Sequence, residues 1–228
     1  MSKKQVKEEL EQDVLLETFS KAQSFYDSNK NAVIGALIAV IVILGGSVGY
    51  YYYSTAQENQ AQQLMGQASQ AYLQGNYQQA LTGSEADFTV GFQQIINNYS
   101  MTDAANLARY YAGVSEFKLG NPQEALGYIQ QYEIPEGIMG VGPLSFHGVV
   151  LTDLGNHSEA AQMFVKAAEW DENDSTTPYN YLEAAKAFHD AGNSAKAQEY
   201  ADMIVNDFSS SSQVAEAQKL LGMLATTQ

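Results

Sequence analysis

The chain has 228 residues, with 11 Lys and Arg against 26 Asp and Glu, and it contains no cysteine. This length allows one or two compact domains, since a domain commonly holds about 100 to 200 residues. The lack of cysteine excludes disulfides, cysteine-ligated metal sites and thiol nucleophiles. The net charge of −15 argues against nucleic acid as a partner, because binding to phosphates requires clustered Lys and Arg.

Residues 1–30 form a leader that is predicted to be an amphipathic helix. Its apolar residues recur at near-helical spacing among Glu and Lys, and they are Val6, Leu10, Val14, Leu15, Phe19, Phe25 and Tyr26. This helix either docks on a partner or lies on a membrane surface, although its mixed charges do not favour the membrane.

An uncharged segment of 27 residues follows, between Lys30 and Glu58. Its apolar part, 32–49, rises about 27 Å as a helix, and the next tyrosines extend it to the bilayer core of about 30 Å. A buried helix of a soluble domain is the alternative, but such a helix normally has a polar face. We therefore predict a transmembrane anchor at 31–53. Lys30 marks one membrane interface, and an aromatic belt marks the other: Tyr50, Tyr51, Tyr52 and Tyr53.

The distribution of Lys and Arg predicts the orientation of this anchor. Five of the 11 basic residues precede the span, and none follows it until Arg109. Such asymmetry keeps the N-terminus in the cytoplasm and places the C-terminal domain in the bacterial periplasm. Of the net charge, −1 belongs to the first 30 residues and −14 to the rest. Cleavage after 54–56 is the alternative, but the apolar run exceeds the roughly 7 to 15 residues of a signal peptide.

Residues 57–228 contain a repeated signature, in which Gly-Asn is followed by Ala four residues after the Asn. The four copies begin at Gly75, Gly120, Gly155 and Gly192, with alanines at Ala80, Ala125, Ala160 and Ala197. Two of the three spacings, 45, 35 and 37, lie close to the ~34-residue tetratricopeptide period. We expect the Gly to end one helix in a left-handed conformation and the Asn side chain to cap the next.

Two further positions recur in the same register. Seven residues before each Gly stands a small residue, at Ala68, Gly113, Gly148 and Ala185. Nine residues after it stand Ser84, Ile129, Phe164 and Ala201, so only the first copy lacks an apolar residue there. The pattern resembles the tetratricopeptide repeat. The predicted fold is all-α, with one N-terminal transmembrane helix followed by a tetratricopeptide-like α-solenoid of about four repeats.

The helices are predicted from apolar periodicity and turn signals, and no segment indicates a strand. Beyond the anchor they are expected at 57–74, 77–98 with an interruption, 102–119, 122–132, 143–154, 157–170, 178–190, 194–207 and 213–225. The last helix has no partner after it and is predicted to cap the solenoid.

We find no catalytic constellation and predict no cofactor and no metal. The three histidines form no recognised ligand motif, and Asp171, Glu172 and Asp174 are explained as a solvated turn. An enzymatic role would require His189 and Asp190 to act together, although adjacent helix residues point apart. The sequence therefore predicts a binding protein and not an enzyme.

Repeats of this kind bind partners on their concave face. The resemblance assigns that face to Met65, Tyr72, Tyr110, Val114, Phe117, Lys118, Val149, Tyr179, Lys186 and His189. Some of these residues could instead pack between helices. Tyr110 and Val114 occupy places where a carboxylate-binding clamp has Lys and Asn, so the resemblance implies hydrophobic, permissive binding.

In architecture the chain resembles the YfgM-like family, the ancillary subunits of the SecYEG translocon. The resemblance implies a chaperone-like periplasmic role beside the translocon, in company with a membrane-anchored peptidyl-prolyl isomerase. Unfolded or nascent envelope proteins would be the clients. The alternative is a structural scaffold for an envelope complex, such as a division or outer-membrane assembly machine.

Overall fold

The computed structural model describes residues 3–86 and 88–226, with side chains from residue 14 onward. It comprises two compact units, Met1–Ala56 and Gln57–Gln228. The described residues form ten helices and one pair of two-residue strands. In chain order these are α1 (Lys3–Leu73), α2 (Tyr77–Thr82), β1 (Gly83–Ser84), β2 (Thr89–Val90), α3 (Phe92–Asn98), α4 (Asp103–Lys118), α5 (Pro122–Ile129), α6 (Ile138–Asp153), α7 (His157–Trp170), α8 (Thr177–Asp190), α9 (Ser194–Asp207) and α10 (Val214–Thr226).

The first unit consists of α1 up to residue 56. The helix is interrupted at Asn29, whose φ of −127° and ψ of 24° are not helical. The Asn29 side chain donates to the carbonyl oxygen of Phe25 at 2.9 Å. Beyond this break, α1 is long and apolar enough to cross a membrane. Its large apolar side chains between Ile34 and Val48 are exposed, so they are available to lipid.

The four Gly-Asn pairs form the predicted turns between helices. Their glycines have φ values of 76° to 84°, which confirms the expected left-handed conformation. Each following Asn N–H donates to the carbonyl five residues earlier at 2.8 to 2.9 Å. These bonds form between Asn76 and Ala71, Asn121 and Glu116, Asn156 and Leu151, and Asn193 and Phe188. This is the Schellman arrangement, which satisfies carbonyls at the end of the first helix.

The expectation that each Asn side chain caps the next helix is wrong at three of the four turns. Only Asn193 accepts a bond from the next helix, from the N–H of Lys196 at 3.1 Å. No such bond forms at Asn76, Asn121 or Asn156. At Asn121 the side chain instead donates to the carboxylate of the buried Glu116 at 2.9 Å. The backbone turn, rather than the cap, is the common element.

The predicted interruption of the helix at 77–98 is a β-hairpin, although the sequence indicated no strand. Gly83 pairs with Val90 and Ser84 with Thr89 in antiparallel register. The backbones cross closely here, because a Cβ added to Gly91 would collide with the carbonyl of Leu81 and the N–H of Gly83. Strands of two residues are too short to produce a recognisable alternation of polar and apolar residues.

Helix α6 begins five residues before its predicted start. The loop expected at 133–142 ends at Gly137, and Pro143, expected at the N-terminus, lies inside the helix. Pro143 lacks the N–H that would donate to the preceding turn. Close packing holds the first turn of α6, which precedes Pro143. A Cβ on Gly140 would collide with the Trp170 indole and the Pro135 carbonyl. The Trp170 indole N–H donates to that carbonyl at 3.0 Å.

Helices consecutive in the chain pack against one another from α3 to α10, and α10 also contacts α8. The end of α1 forms one core cluster with α2, α3 and α4, and helices α5 to α10 form a second. The four signature alanines are fully buried. The predicted small residues and their larger partners meet at two crossings, Gly113 with Ile129 and Gly148 with Phe164.

Candidate protein-binding face

Six aromatic side chains form a continuous row across α1, α2, α4 and α6. In order, the members of this aromatic row are Tyr77, Tyr72, Tyr111, Tyr110, Phe146 and Phe117. Centroids of successive rings lie 4.9 to 6.0 Å apart, a range in which edge-to-face contacts are favourable. All six residues are half-buried. Each therefore packs against the protein and still has surface available to a partner.

The aromatic row joins the two core clusters of the second unit. Tyr72 and Tyr111 pack against the cluster of α1 to α4. Phe117 and Phe146 pack against the cluster of α5 to α10. Tyr110 connects the two pairs, since its ring lies 5.7 Å from that of Tyr111 and 6.0 Å from that of Phe146. The row is thus positioned by the packing of the helices beneath it and not by a flexible loop.

Tyr110 occupies the most crowded position in the aromatic row. Its ring also lies 5.5 Å from that of Tyr132, in the segment after α5. Burial raises the pKa of Tyr110 to about 12, and the neighbouring phenols of Tyr72, Tyr111 and Tyr132 act in the same direction. At neutral pH the Tyr110 hydroxyl therefore stays protonated, so it can both donate and accept a hydrogen bond.

Three of the predicted face residues, Tyr72, Tyr110 and Phe117, come together in the aromatic row. The register from the Gly-Asn turns missed the other three members, which are Tyr77, Tyr111 and Phe146. Tyr111 directly follows Tyr110 in sequence, and the predicted face included only Tyr110 of this adjacent pair. The density of aromatic residues in this part of the chain was the signal that could have identified them.

Met65 and Val114 are corrections to the predicted face. Met65 on α1 is 6% exposed and Val114 on α4 is 8% exposed. Met65 belongs to the core cluster of α1 to α4. Both side chains serve helix packing, because a side chain with so little accessible surface offers almost none to a partner. We therefore remove them from the candidate face.

Lys186 and His189 are two predicted face residues that lie on α8. The Lys186 ammonium contacts the Glu183 carboxylate at 2.9 Å and the Glu216 carboxylate at 3.0 Å. Because Glu216 lies on α10, this cation links α8 to the last helix. His189 is half-buried, and its Nδ1 atom is enclosed without a hydrogen-bond partner. Neither residue belongs to the aromatic row.

The two remaining predicted residues outside α8 differ in exposure. Val149 on α6 is partly buried and packs against the core cluster of α5 to α10. Lys118, the last residue of α4, is exposed. It directly follows Phe117 in sequence, at the end of α4.

Tyr179 lines a separate groove between the first turns of α6 and α8, which we call the α6–α8 groove. Its volume is about 290 Å³, and Tyr179 is 42% exposed. The groove is lined by Ile138, Val141, Gly142, Ser145, Ser175, Thr176, Tyr179 and Asn180. Asn180 is 1% exposed, and its Oδ1 atom accepts no hydrogen bond. A buried carbonyl oxygen without a donor is uncommon in folded proteins.

A second aromatic cluster connects α8 and α9. Tyr200 stacks on Phe188 with ring centroids 5.5 Å apart, and it also contacts Tyr181 at 5.4 Å. Phe188 and Tyr181 are buried. This cluster fixes the packing of α8 against α9. Its residues can serve as controls, because they are aromatic but lie outside the row.

His147 on α6 is the histidine with the clearest electrostatic perturbation. Burial lowers its pKa, and the charge of Lys166 lowers it further, while Glu159 acts in the opposite direction. The imidazole is therefore neutral at neutral pH. Among the described side chains, no group of three His, Asp or Glu is arranged to hold a metal ion.

The residues predicted to mark the membrane interfaces lie on α1 in the first unit. Lys30 directly follows the break at Asn29, and Tyr50, Tyr51, Tyr52 and Tyr53 are all exposed. No protein-family model matches this chain, and no curated protein is significantly similar to it in sequence.

Proposed function

We propose that this protein is a non-enzymatic, single-pass protein of the bacterial inner membrane that binds polypeptides in the periplasm. In this proposal it is a chaperone-like accessory of the SecYEG translocon, working beside a membrane-anchored peptidyl-prolyl isomerase. Its clients are unfolded or nascent envelope proteins. The aromatic row is the observation that carries the proposal.

The aromatic row suits an unfolded chain for two physical reasons. Aromatic rings bury large apolar areas while losing few rotatable bonds, so they bind without a large entropic cost. The rings also tolerate many side chains, because the contact is apolar and requires no specific donor or acceptor. Six half-buried rings in contact with one another thus provide an extended surface with little sequence preference.

The proposed scaffold is a tetratricopeptide-like solenoid of about four repeats in residues 57–228, capped by α10. Its support is the four left-handed Gly-Asn turns and the two crossings at which a glycine meets a large apolar residue. In such a solenoid the first helices of successive repeats line one face. The row draws most of its rings from α1, α4 and α6, which are the first helices in this scheme.

The proposed membrane topology depends on the distribution of charge. Five basic residues precede the apolar part of α1, and the next one is Arg109. Positive charge is retained on the cytoplasmic side, so residues 57–228 would lie in the periplasm. Their net charge of −14 would keep this domain off the anionic membrane surface.

Site-specific photocrosslinking tests the proposal. A photoreactive phenylalanine at Tyr72 or Tyr110 is expected to capture a secretory chain stalled in the translocon, or the translocon subunits. The matched control replaces Tyr200, which lies in the second aromatic cluster, and should capture much less. Equal capture from all three positions, or none from the row, would refute binding through the aromatic row.

A structural scaffold is the second candidate function, and one observation favours it. Phe88 in the β-hairpin is 92% exposed and has a φ of 52°, which is unfavourable for a residue with a bulky side chain. Such a protruding ring would fit a pocket on one folded partner. If the protein fails to delay aggregation of an unfolded protein yet binds one folded partner tightly, and Phe88→Ser abolishes that binding, the scaffold is the better description.

A further inference from the structure

The part of α1 that precedes its break at Asn29 carries an exposed apolar surface. Its large apolar side chains are 41% to 69% exposed, and they are Val14, Leu15, Leu16, Phe19, Phe25 and Tyr26. A contiguous exposed apolar surface of this kind marks a site of interaction with a protein or a membrane. The shape of the surface and its position in the chain indicate which of the two covers it.

The apolar side chains of residues 14–28 form one broad arc around the helix, which we call the leader arc. At 3.6 residues per turn, four of them follow one line at spacings of four, three and four residues: Leu15, Phe19, Ala22 and Tyr26. Val14 and Phe25 lie at one edge of the arc and Leu16 lies at the other, so the arc covers about 200° of the circumference. Thr18 and Gln23 also fall within it, and the Thr18 hydroxyl donates to the Val14 carbonyl oxygen at 2.7 Å.

The opposite side of the same helix is polar. Its residues are Glu17, Ser20, Lys21, Ser24, Asp27 and Ser28. The Lys21 ammonium pairs with the Glu17 carboxylate at 2.7 Å, and residues 14–30 contain two Lys and two acids. This segment is therefore neutral overall and neither attracts nor repels an anionic surface. Whatever covers the leader arc must bind it through apolar contact.

The width of the leader arc distinguishes a bilayer from a second helix. Two paired helices bury a narrow seam of residues at alternating spacings of three and four. Such a seam would cover the line through Leu15 and Phe19, but it would leave Val14, Leu16 and Phe25 exposed to water. A helix lying in a membrane interface buries its whole apolar half. The breadth of the arc thus favours lipid over a second copy of this chain.

The break at Asn29 is positioned to turn the helix at the membrane. It lies directly before Lys30 and three residues before the apolar run that begins at Ala32. A straight helix would carry residues 14–28 about 22 Å along the axis of the span and away from the bilayer. A change of direction at Asn29 instead keeps the leader arc beside the surface from which the span enters.

We propose that residues 14–28 lie on the membrane surface, with the leader arc in the boundary between headgroups and acyl chains and the polar side facing water. The break at Asn29 is the turn between this surface helix and the span. Because the span tethers the helix to the bilayer, even a weak affinity keeps it bound. The inference rests on the membrane anchor of the proposed function and not on its polypeptide binding.

Fluorescence quenching by lipid tests the inference, and the lack of natural cysteine allows a single label. The full-length protein is reconstituted at one copy per phosphatidylcholine nanodisc, with a doxyl quencher near the headgroup end of the acyl chains. The fluorophore NBD on Phe19→Cys, in the leader arc, should be quenched at least about threefold more than on Ser24→Cys, on the polar side. Iodide in the water should quench the two labels in the reverse order.

A charge placed in the leader arc should release the helix from the lipid. With the label on Ala22→Cys, we expect Leu15→Glu to reduce quenching by the doxyl lipid at least about twofold, because a carboxylate resists transfer into the apolar boundary. The matched control is Ser20→Glu, which adds the same charge on the polar side and should leave quenching unchanged. Both positions are exposed, and circular dichroism checks that both variants remain helical.

The outcomes that would overturn the inference identify what covers the leader arc instead. Equal quenching by the doxyl lipid at Phe19→Cys and Ser24→Cys would exclude the membrane surface. A Phe19→Cys label that iodide reaches in single-copy nanodiscs, but not when two copies share a nanodisc, would show that a second copy covers the arc.

A label on Ile41→Cys separates this inference from the membrane anchor on which it rests. Ile41 is an exposed residue of the apolar run, so a doxyl group deep in the acyl chains should quench its label. Quenching at Ile41→Cys without quenching at Phe19→Cys would reject the surface helix alone. Failure at Ile41→Cys would reject the anchor of the proposed function and the surface helix with it.

Discussion

Gly148 on α6 lies against the ring of Phe164 on α7. A Cβ built on Gly148 would stand 2.8 to 2.9 Å from three atoms of that ring, and real Cβ atoms do not approach so closely. Phe164 is 2% exposed, so its ring has little room to withdraw. The crossing of α6 and α7 thus depends on the absence of a side chain at residue 148.

We expect Gly148→Ala to destabilise the second unit. An added methyl must displace a buried ring, and overpacking of this kind costs about 1 to 3 kcal/mol. The control is Gly142→Ala on the same helix, where the methyl meets nothing and should be neutral or stabilising by up to about 1 kcal/mol. Thermal unfolding followed by circular dichroism compares them. A Gly148→Ala protein as stable as Gly142→Ala would contradict the close crossing.

The Glu58 carboxylate caps α4 from a distance of 45 residues along the chain. It accepts from the N–H of Asp103 at 2.7 Å and from the N–H of Ala104 at 3.2 Å. Helix N-termini favour a negative charge and need such acceptors. Glu58→Ala should therefore lower stability by about 1 to 2 kcal/mol. Glu199→Ala, at an exposed position on α9, is the control and should have almost no effect in the same denaturant titration.

The contact between Lys186 and Glu216 should make the attachment of α10 depend on pH. The hydrogen bond and charge of Lys186 lower the pKa of Glu216 below its ordinary value of 4.5. Stabilisation by this carboxylate is therefore complete above about pH 4.5 and is lost as the pH falls through its lower folded-state pKa. Hydrogen exchange of α10 amides should increase in Glu216→Gln at neutral pH. The difference from wild type should disappear in acid.

The stabilisation by the contact between Lys186 and Glu216 should also be lost at alkaline pH. Burial alone lowers the pKa of Lys186, but its bonds to Glu183 and Glu216 outweigh this effect and raise the pKa above its ordinary value of 10.5. The stabilisation is therefore fully present below about pH 10.5 and is lost above it. Glu199→Gln serves as the control. If the α10 amides of Glu216→Gln exchange at the wild-type rate at neutral pH, the predicted losses of stabilisation in acid and in alkali are both contradicted.

Tyr110 should ionise later than an ordinary tyrosine. Its folded-state pKa of about 12 exceeds the ordinary tyrosine value of 10.0, so the unfolded state loses its proton first as the pH rises. Stability should therefore fall above about pH 10, and the fall should be smaller in Tyr110→Phe. Ultraviolet titration of the phenols and urea unfolding measure the two effects. Tyr99→Phe, outside the aromatic row, is the control, and an identical change in both variants would contradict the burial of Tyr110.

The proposed topology predicts one-sided labelling by an impermeant thiol reagent, because the chain has no natural cysteine. Ser20→Cys in the leader should be protected in intact spheroplasts and Ser210→Cys after α9 should react, since both positions are exposed. After detergent lysis both should react equally. Labelling of Ser20→Cys in intact spheroplasts would reverse or exclude the proposed orientation.

Sequence reasoning succeeded for most helix bounds and for the left-handed turns, but it was wrong for three of the four Asn caps. Helices α7 and α9 have their predicted bounds, His157–Trp170 and Ser194–Asp207. The other helices of the second unit begin and end within about three residues of theirs, except at α6 and the hairpin. The left-handed glycines were predictable because only glycine adopts that conformation at low cost. The register also predicted small residues at Gly113 and Gly148, and the structure shows that these glycines meet Ile129 and Phe164.

The candidate site was only partly predictable. The register identified Tyr72, Tyr110 and Phe117, but it also assigned Met65 and Val114 to the face, where packing buries them. A repeat register gives the angle of a side chain about its helix. It does not give the depth at which the neighbouring helices cover that side chain.

What the sequence determined by itself is most of the helices, the four left-handed Gly-Asn turns and one apolar segment long enough for a membrane. These depend on backbone preferences and on hydrophobicity, which act over a few residues. Tertiary structure alone decided the cap of α4 by Glu58, the continuity of the aromatic row and the unpaired oxygen of Asn180. Each of these depends on groups far apart in the chain, whose distances are set by the packing of whole helices.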